Sequence, residues 1–426
     1  MISKTPPTEA FVWIWLPGAT EPVVAGRLER RGESLIFNYG QSYLGRDDAI
    51  PVYDPELPLR RGAIAPFAGL TIAGCIRDAA PDAWGRRVIL NRIFGAAGTD
   101  EDPGRLDELT YLLESGSDRI GALDFQSSAK KYVPRAAKTA SLQELLSAAE
   151  KVEAGIPLTP ELDQALFHGS SLGGARPKAM IEDGDKKFIA KFSSSTDTSN
   201  VVKAEFVAMR MAALCGLDVA PVQLASAAGK DVLLIERFDR EKANGGFRRK
   251  AMVSALTLLE LDEMMARYAS YDALAEIIRH RFTNPTDTLH ELYGRLVFNI
   301  LCGNTDDHAR NHAAFWNGTA LALTPGYDIC PQRRTGNEAS QAMLIIGDDR
   351  ASRLTTCLKA AHNFLLSEDE AISLIKVQIA IIREKLDTVC DEATLSEVDR
   401  NLLTKRQFLN PFIFEGLPTD IQAYFQ

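Results

Sequence analysis

Cysteine is scarce and unpaired in this chain. The six cysteines, Cys75, Cys215, Cys302, Cys330, Cys357 and Cys390, contain no CxxC pair. That excludes a readable zinc or disulfide framework and fits reduced thiols. Long apolar runs are missing as well: none reaches the roughly 18 residues that span a bilayer, and the longest, around Ala63–Ile76, is broken by Pro66 and glycines. The opening residues, MISKTPPTEA, hold no apolar core of the kind that directs export, so a cytoplasmic location and no membrane contact are expected. Positive charge is in deficit. Against 57 acidic side chains stand 48 basic ones, a formal net charge of −9. Such a balance argues against coating nucleic acid by bulk charge, though not against a local basic patch. Internal repeats and low-complexity tracts are absent too. What is present is ordinary for a globular protein: 46% hydrophobic and 25% charged residues over 426 positions. That is enough chain for two or three domains with full-sized cores.

The first stretch reads as β-rich. Phe11–Leu16, Pro22–Glu29 and Ser34–Tyr39 are short runs rich in Val, Ile, Trp and Phe, with Arg31-Gly32 as a turn. From about Asp78 the pattern becomes helical, with Trp84, Val88, Ile89 and Ile93 at near-helical spacing. Ser127–Lys138 is basic and weakly patterned, a solvated linker in preference to a nucleic-acid patch. Ser141 with Glu144 forms a capping box where helix restarts. A small-residue loop, Gly169–Lys178, precedes two strand-like runs, Ala179–Glu182 and Lys187–Phe192, joined across Asp183-Gly184. A helix with Val201, Val202, Phe206, Met209 and Ala213 inward then runs to Gly216, followed by strands at Pro221–Ser226 and Asp231–Glu236. Beyond about Lys250, helical periodicity predicts helices through Ala251–Ala266, Tyr271–Arg279, Thr286–Cys302 and Ser367–Val389, the last capped by Ser367 with Glu370. Asn317-Gly318 between apolar runs predicts one hairpin among them. The domains expected are a β-rich N-terminal part over 1–126, a basic linker over 127–140, an α+β block over 141–240 and a helical block over 241–426.

The sharpest chemical cluster is Asn304-Thr305-Asp306-Asp307-His308-Ala309-Arg310-Asn311-His312, between a helix and that hairpin, which leads on to Tyr327-Asp328. Phosphoryl transfer from ATP needs a carboxylate to orient and deprotonate the acceptor hydroxyl. It also needs an amide oxygen and a second carboxylate to hold magnesium on the phosphates. Asp306 and Asn311 have the D-x-x-x-x-N spacing of such a pair, and Asp328 follows the hairpin, as the second metal ligand does. Upstream, Lys191 shares a strand face with Lys187 and Ile189 and can reach ATP phosphates, with Glu205 in the next helix as its ion-pair partner. The loop Gly169–Lys178 offers backbone N–H groups to phosphate, although it matches neither Walker A nor G-x-G-x-x-G. Glu236-Arg237-Phe238 ends a strand where a kinase hinge would meet adenine. Each piece also has a plain structural reading: Lys191 as a surface lysine, Asp306 and Asp307 as helix caps, His312 as packing at a strand start. Their order along the chain is what argues for a kinase. Two other readings stay open. One is a nuclease in which Asp306, Asp307 and Asp328 hold two magnesium ions. The other is a weakly catalytic, nucleotide-binding co-repressor that acts with a DNA-binding partner.

At these residues the chain resembles the HipA family of toxin kinases from bacterial toxin–antitoxin modules. The likeness is carried by Ser171-Leu172-Gly173-Gly174-Ala175-Arg176-Pro177-Lys178, Phe188-Ile189-Ala190-Lys191-Phe192, Glu236-Arg237-Phe238-Asp239-Arg240, the Asn304–His312 cluster and Tyr327-Asp328. Phe37–Leu44, Leu57-Pro58-Leu59 and Ala80-Pro81-Asp82-Ala83-Trp84-Gly85-Arg86 resemble the family's N-terminal companion subdomain. The resemblance implies an α+β, bilobal protein-kinase-like fold, with a β-rich N-lobe, an all-helical C-lobe and that companion subdomain in front. It implies a serine/threonine protein kinase using ATP and Mg2+, with Asp306 as general base and Asn311 and Asp328 on the metal. Leu172, Gly173, Gly174, Ala175, Arg176, Pro177, Lys191, Glu236, Arg237, Phe238, His308 and Tyr327 would surround the nucleotide. Ser171 would be the autophosphorylated serine. Other branches carry Gln and an acidic residue where this chain has Arg176-Pro177. The partners implied are a helix-turn-helix antitoxin of HipB type, DNA through that antitoxin, and a protein substrate such as an aminoacyl-tRNA synthetase.

Overall fold

The computed structural model describes residues 6–95, 104, 106–135, 140–166, 176–194, 197–334, 336, 338–419 and 421–422. They gather into two compact units. One is made of 1–197, 225–253 and 315–319, the other of 198–224, 254–314 and 320–426.

In the first unit, β1 (Glu9–Ile14), β2 (Val23–Arg31), β3 (Ser34–Tyr39) and β4 (Leu123–Gln126) form an antiparallel sheet in the order β3-β2-β1-β4. The three early strands stand where the apolar runs place them. β4 arrives from far along the chain and pairs with β1, Phe11 opposite Gln126. A second sheet has the order β5-β6-β8-β7, from β5 (Lys178–Asp183), β6 (Lys186–Phe192), β7 (Val222–Ala227) and β8 (Lys230–Glu236). Along β6 the two-residue alternation buries Phe188, Ala190 and Phe192 and puts Lys187, Ile189 and Lys191 on the other face. Two helices fill the buried side, α1 (Ala83–Phe94) and α3 (Leu142–Glu153), with α2 (Glu108–Glu114) between them in sequence. Trp84, Val88, Leu145 and Val152 from these helices share one core with Ala190, Phe192 and Val232. The Trp84 indole N–H donates to the Lys178 carbonyl at 3.0 Å, so its one polar atom is satisfied where the ring is buried. The Ser141–Glu144 capping box starts α3 as expected.

The helical expectation over Ala251–Ala266 does not hold. The chain first makes a hairpin, β9 (Arg240–Ala243) with β10 (Gly246–Arg249), and then a strand, β11 (Ala251–Ser254). One helical turn (Ala255–Leu258) and a 3-10 segment (Glu263–Tyr268) follow. Ala-Met-Val-Ser is apolar enough to sit in either period, and so short a run does not choose between them.

The second unit is built on α4 (Val201–Leu214), α5 (Tyr271–Arg281), α6 (Pro285–Cys302) and α7 (Glu368–Glu392). In α4, Val202, Phe206 and Met209 are buried as the periodicity predicts, whereas Ala213 is exposed and Glu205 is buried. The axis of the unit is α6. It opens with Pro285 at its first turn, where a missing N–H costs nothing, and buries Leu289, Leu292, Tyr293, Leu296, Phe298 and Ile300. Past the segment 303–312 come the neighbouring strands β12 (Ala313–Trp316) and β13 (Leu321–Leu323), the hairpin that Asn317-Gly318 signals. Among the described residues no helix is long and apolar enough to cross a membrane.

Candidate active site

The chemistry of the second unit is placed by the end of α6. Gly303 caps the helix in the left-handed region, φ 77, where a Cβ would meet the Gln407 carbonyl oxygen at 3.0 Å. Its own carbonyl accepts from the Gln332 N–H at 2.9 Å. Asn304 folds back on the helix, its N–H on the Asn299 carbonyl at 2.8 Å and its Nδ2 on Asn299 Oδ1 at 3.0 Å. The next carbonyl, that of Thr305, accepts from the Ala342 N–H at 3.1 Å. The chain is thus held on both sides immediately before Asp306.

Asp306 and Asn311 are brought together. One 3-10 turn, Ala309–Asn311, follows His308 and is closed by the Asn311 N–H on the His308 carbonyl at 2.8 Å. The Asn311 Nδ2 then donates to the Asp306 carbonyl at 3.2 Å, which turns Oδ1 away from that contact. Asp306 keeps solvent access, and its carboxyl is raised from the ordinary value. Partial burial is the main cause; the charges of Asp328 and Asp307 add to it, and His308 works against it. Asp328 is therefore within electrostatic reach of Asp306. It sits in the left-handed region at φ 59, uncommon for a residue other than glycine. Tyr327, just before it, donates its hydroxyl to the Arg310 carbonyl at 2.7 Å and so ties the two halves of the site. Arg310 pairs outward with Glu263.

Asp307 has a different task. It is buried, and its two oxygens are taken by the Tyr271 hydroxyl and by His312 Nε2, the latter at 2.9 Å. Burial alone would raise its carboxyl, but His312 and Tyr271 outweigh that and hold it below the ordinary carboxylate value. This brace was not legible from sequence, because Tyr271 lies far upstream at a helix start. It also removes one of the three carboxylates that the nuclease reading requires.

An oxygen-only pair such as the Asn311 amide and the Asp328 carboxylate suits magnesium. That ion is usually bound through one or two protein groups, with phosphate oxygens and water completing its shell. Among the described residues no group of three or more His, Cys, Asp or Glu gathers into a self-sufficient cage. The donor set fits a metal brought in with a nucleotide.

Arg334 is a residue that the spacing arguments missed. It follows Asp328 by six positions, and its Nε, Nη1 and Nη2 are all buried with no hydrogen-bond partner. Burial pulls its guanidinium below the ordinary value. A buried guanidinium without a counter-ion is costly, and an anion is the group that relieves it.

In the first unit, Lys191 stands on the face of β6 away from the core, beside Leu233 of β8 in register. Arg176 does not point its charge to an open loop: its Nη1 donates to both carboxylate oxygens of Asp197, each at 2.8 Å. Pro177 accepts the Phe192 N–H at 3.0 Å. Ser171, Leu172, Gly173, Gly174 and Ala175 lie outside the described residues.

At the end of β8, Glu236 pairs with Lys186 at 2.6 Å and Phe238 packs edge-on against Phe315. Arg237 is spent inside the unit. Its backbone N–H goes to the Lys187 carbonyl at 2.8 Å, and its buried guanidinium goes to Asp239, to Asp118 and to the Arg119 carbonyl. Asp118 also receives Lys187 at 2.6 Å and Arg240 at 2.8 Å, while Asp239 accepts from the Gly121 N–H at 2.8 Å. Burial opposes the charge on both carboxylates, but the surrounding arginines win, with Asp118 held well below its ordinary value and Asp239 lowered to about 2. The Glu-Arg-Phe-Asp-Arg segment is thus clamped by Asp118–Gly121.

Comparison with known proteins shows relatives of this chain. The HipA-like C-terminal domain matches residues 170–392 and the HipA N-terminal domain matches 16–126. A Sinorhizobium fredii protein that carries a kinase name, Y4mE, is 25% identical over 352 residues, 74% of this chain and 76% of that one. The serine/threonine-protein kinase toxin HipA of Shewanella oneidensis is 23% identical over 204 residues, 42% of this chain and 47% of that protein. In fold, the chain is similar to Shewanella oneidensis HipA solved with HipB and its operator DNA. That match has a TM-score of 0.64 and 17% identity, and covers 97% of this chain and 94% of that one.

Proposed function

The chain belongs to the HipA family, and from that premise we propose that it is an ATP- and magnesium-dependent serine/threonine protein kinase, the toxin of a toxin–antitoxin pair. The observation that carries the proposal is the Asp306 loop: a solvent-accessible carboxylate locked through its own carbonyl to Asn311, with a proton affinity raised by partial burial and by the charges of Asp328 and Asp307. A base that binds its proton more firmly than an ordinary carboxylate is better matched to a hydroxyl near neutral pH. Asp306 takes the proton of the acceptor hydroxyl as that oxygen attacks the γ-phosphorus. Asn311 and Asp328 hold magnesium, which neutralises charge on the phosphates when bound. Lys191 contacts the phosphates, and Glu236 and Phe238 present backbone groups to adenine. Residues 1–126 form the companion subdomain, 141–240 the N-lobe and 241–426 the C-lobe.

Regulation by phosphorylation of Ser171, and an aminoacyl-tRNA synthetase or other translation protein as target, follow from the resemblance and belong to the same proposal. So does an antitoxin of HipB type as the partner that meets DNA, since a chain of net charge −9 is poorly suited to grip it alone. Incubation with γ-labelled ATP and magnesium tests the catalytic part. Label on a protein from the wild-type chain and none from Asp306→Asn is expected. Label of the same strength from both, or no label on any protein, rejects it.

A further inference from the structure

The second unit holds a groove remote in sequence from the catalytic loop. It has a volume of about 490 Å³ and is walled by the C-terminal end of α4, the first half of α6 and the first half of α7. That size is within the range of small-molecule sites, roughly 300–1,000 Å³. Gly294 lets Leu217 pack closely against α6, since a Cβ there would come within 2.9 Å of the Leu217 side chain.

Two polar atoms at this groove are left without partners. Gln378 is only 2% exposed and lines the groove. Its Nε2 donates to the Gly294 carbonyl at 3.0 Å, which fixes the amide and leaves Oε1 buried with nothing to accept. The Nε2 of His290, also a lining residue, is buried without a partner. Buried polar atoms are normally paired, and those that are not leave a place for water or for a bound group.

The rest of the lining says which group. Asp287 stands exposed at the edge, and Glu291 already accepts from Arg295 at 2.7 Å and from the Asp218 N–H at 3.1 Å. No lysine or arginine lines the groove, and Leu217, Leu374 and Val377 give it apolar walls. The site is rich in acceptors and carries negative charge, with room for a short hydrocarbon stem.

We propose that this groove binds a small organic cation, an ammonium or guanidinium head on a short apolar stem. The head donates to Gln378 Oε1 and is balanced by the Asp287 carboxylate, while the stem lies along Leu217, Leu374 and Val377. Nothing in the kinase reading requires such a site.

Isothermal titration of the full chain tests this, with butylammonium and butylguanidinium chlorides as probes and butanol and sodium butyrate as neutral and anionic controls. Saturable one-to-one binding of at least one cation is expected, with a Kd below about 1 mM, and no binding of the controls. Asp287→Asn, at an exposed position, should weaken the cation about tenfold, and Gln378→Met should weaken it at least as much. Because Gln378 is buried, Val377→Trp serves as a second blocking variant at a position 55% exposed. Absence of saturable binding by both cations up to about 10 mM overturns the proposal, and would mean that water alone meets the two orphan atoms. Butanol binding as well as the cations, or wild-type affinity in both Asp287→Asn and Val377→Trp, overturns it too.

Discussion

Asp306 and Asp307 are adjacent and chemically identical, yet their surroundings push their acidities in opposite directions. Asp306 has partial burial and two neighbouring carboxylates, so its proton is held more firmly than usual. Asp306→Asn should lose about 10²–10⁴-fold in the rate of phosphoryl transfer. The raised value also means that the charged form is the disfavoured one in the folded chain. Removing that charge should raise the melting temperature of Asp306→Asn at neutral pH, with the gain fading below about pH 4, where the wild-type group is neutral. Lower melting temperature in the variant at neutral pH would contradict the assignment. For Asp307 the sign is reversed. Its depressed value supplies stability that is present above the ordinary carboxylate value and lost as pH falls through the folded one. Asp307→Asn removes the charge and one of the two acceptor oxygens shared by His312 and Tyr271, and should cost about 3 kcal/mol in urea unfolding at neutral pH. Its stability should depend less on pH at the acid end than that of the wild type. Arg334 adds a third case: phosphate or sulfate should raise the wild-type melting temperature, and Arg334→Met should abolish that rise without lowering the baseline, since it removes a buried charge that has no partner. An unchanged anion response in the variant would place the anion elsewhere.

At the scale of elements, the clamp at the end of β8 is the feature with the largest expected cost. Asp118 takes Lys187, Arg237 and Arg240, so Asp118→Asn removes an anion shared by three cations and leaves the two buried arginines with Asp239 as their remaining carboxylate. A loss of about 3–5 kcal/mol in denaturant unfolding is expected. Because the clamp holds the strand end proposed to meet adenine, whatever variant protein remains folded should show a raised KM for ATP with kcat little changed. A variant as stable as the wild type would dismiss the clamp. This element also shows what could be read from the chain and what could not. The β5–β6 hairpin, the capping boxes of α3 and α7 and the Asp306/Asn311 spacing were legible, because each depends on residues a few positions apart. The role of Arg237 was not. Its motif was visible, but its partner Asp118 lies 119 residues upstream in a run without periodicity, so the arginine looked available for a nucleotide. The Tyr271–Asp307–His312 brace was hidden for the same reason. The short strand β11 was missed for another: three apolar residues and a serine carry no period.

The molecule as a whole is acidic, with a net charge of −9, and a nucleotide is a polyanion. General attraction does not favour holding it, so on the proposed reading binding comes from local groups and from a metal between the nucleotide and the acidic loop. On the proposed reading, Asp306 and Asp328 would face the phosphates as like charges without magnesium, and Asp328 would become a ligand with it. Mg-ATP at a hundredfold over its Kd should therefore raise the unfolding free energy by about 2.7 kcal/mol, and ATP in excess chelator should raise it much less. Asp328→Asn should lose the magnesium-dependent increment while keeping the small metal-free one, and Lys191→Ala should lose both if, as proposed, the lysine acts on the phosphates directly. Denaturant titrations of the three proteins, each with ATP in magnesium and in chelator, provide the measurement. Equal stabilisation with and without the metal in the wild type would show that Asn311 and Asp328 hold no ion. The same charge argument bears on DNA: alone, the chain should leave duplex DNA unshifted on a gel at about 0.15 M salt, where cationic phosphate contacts are what non-specific binding depends on. A shift without any partner would place a basic surface on this chain that its overall charge conceals.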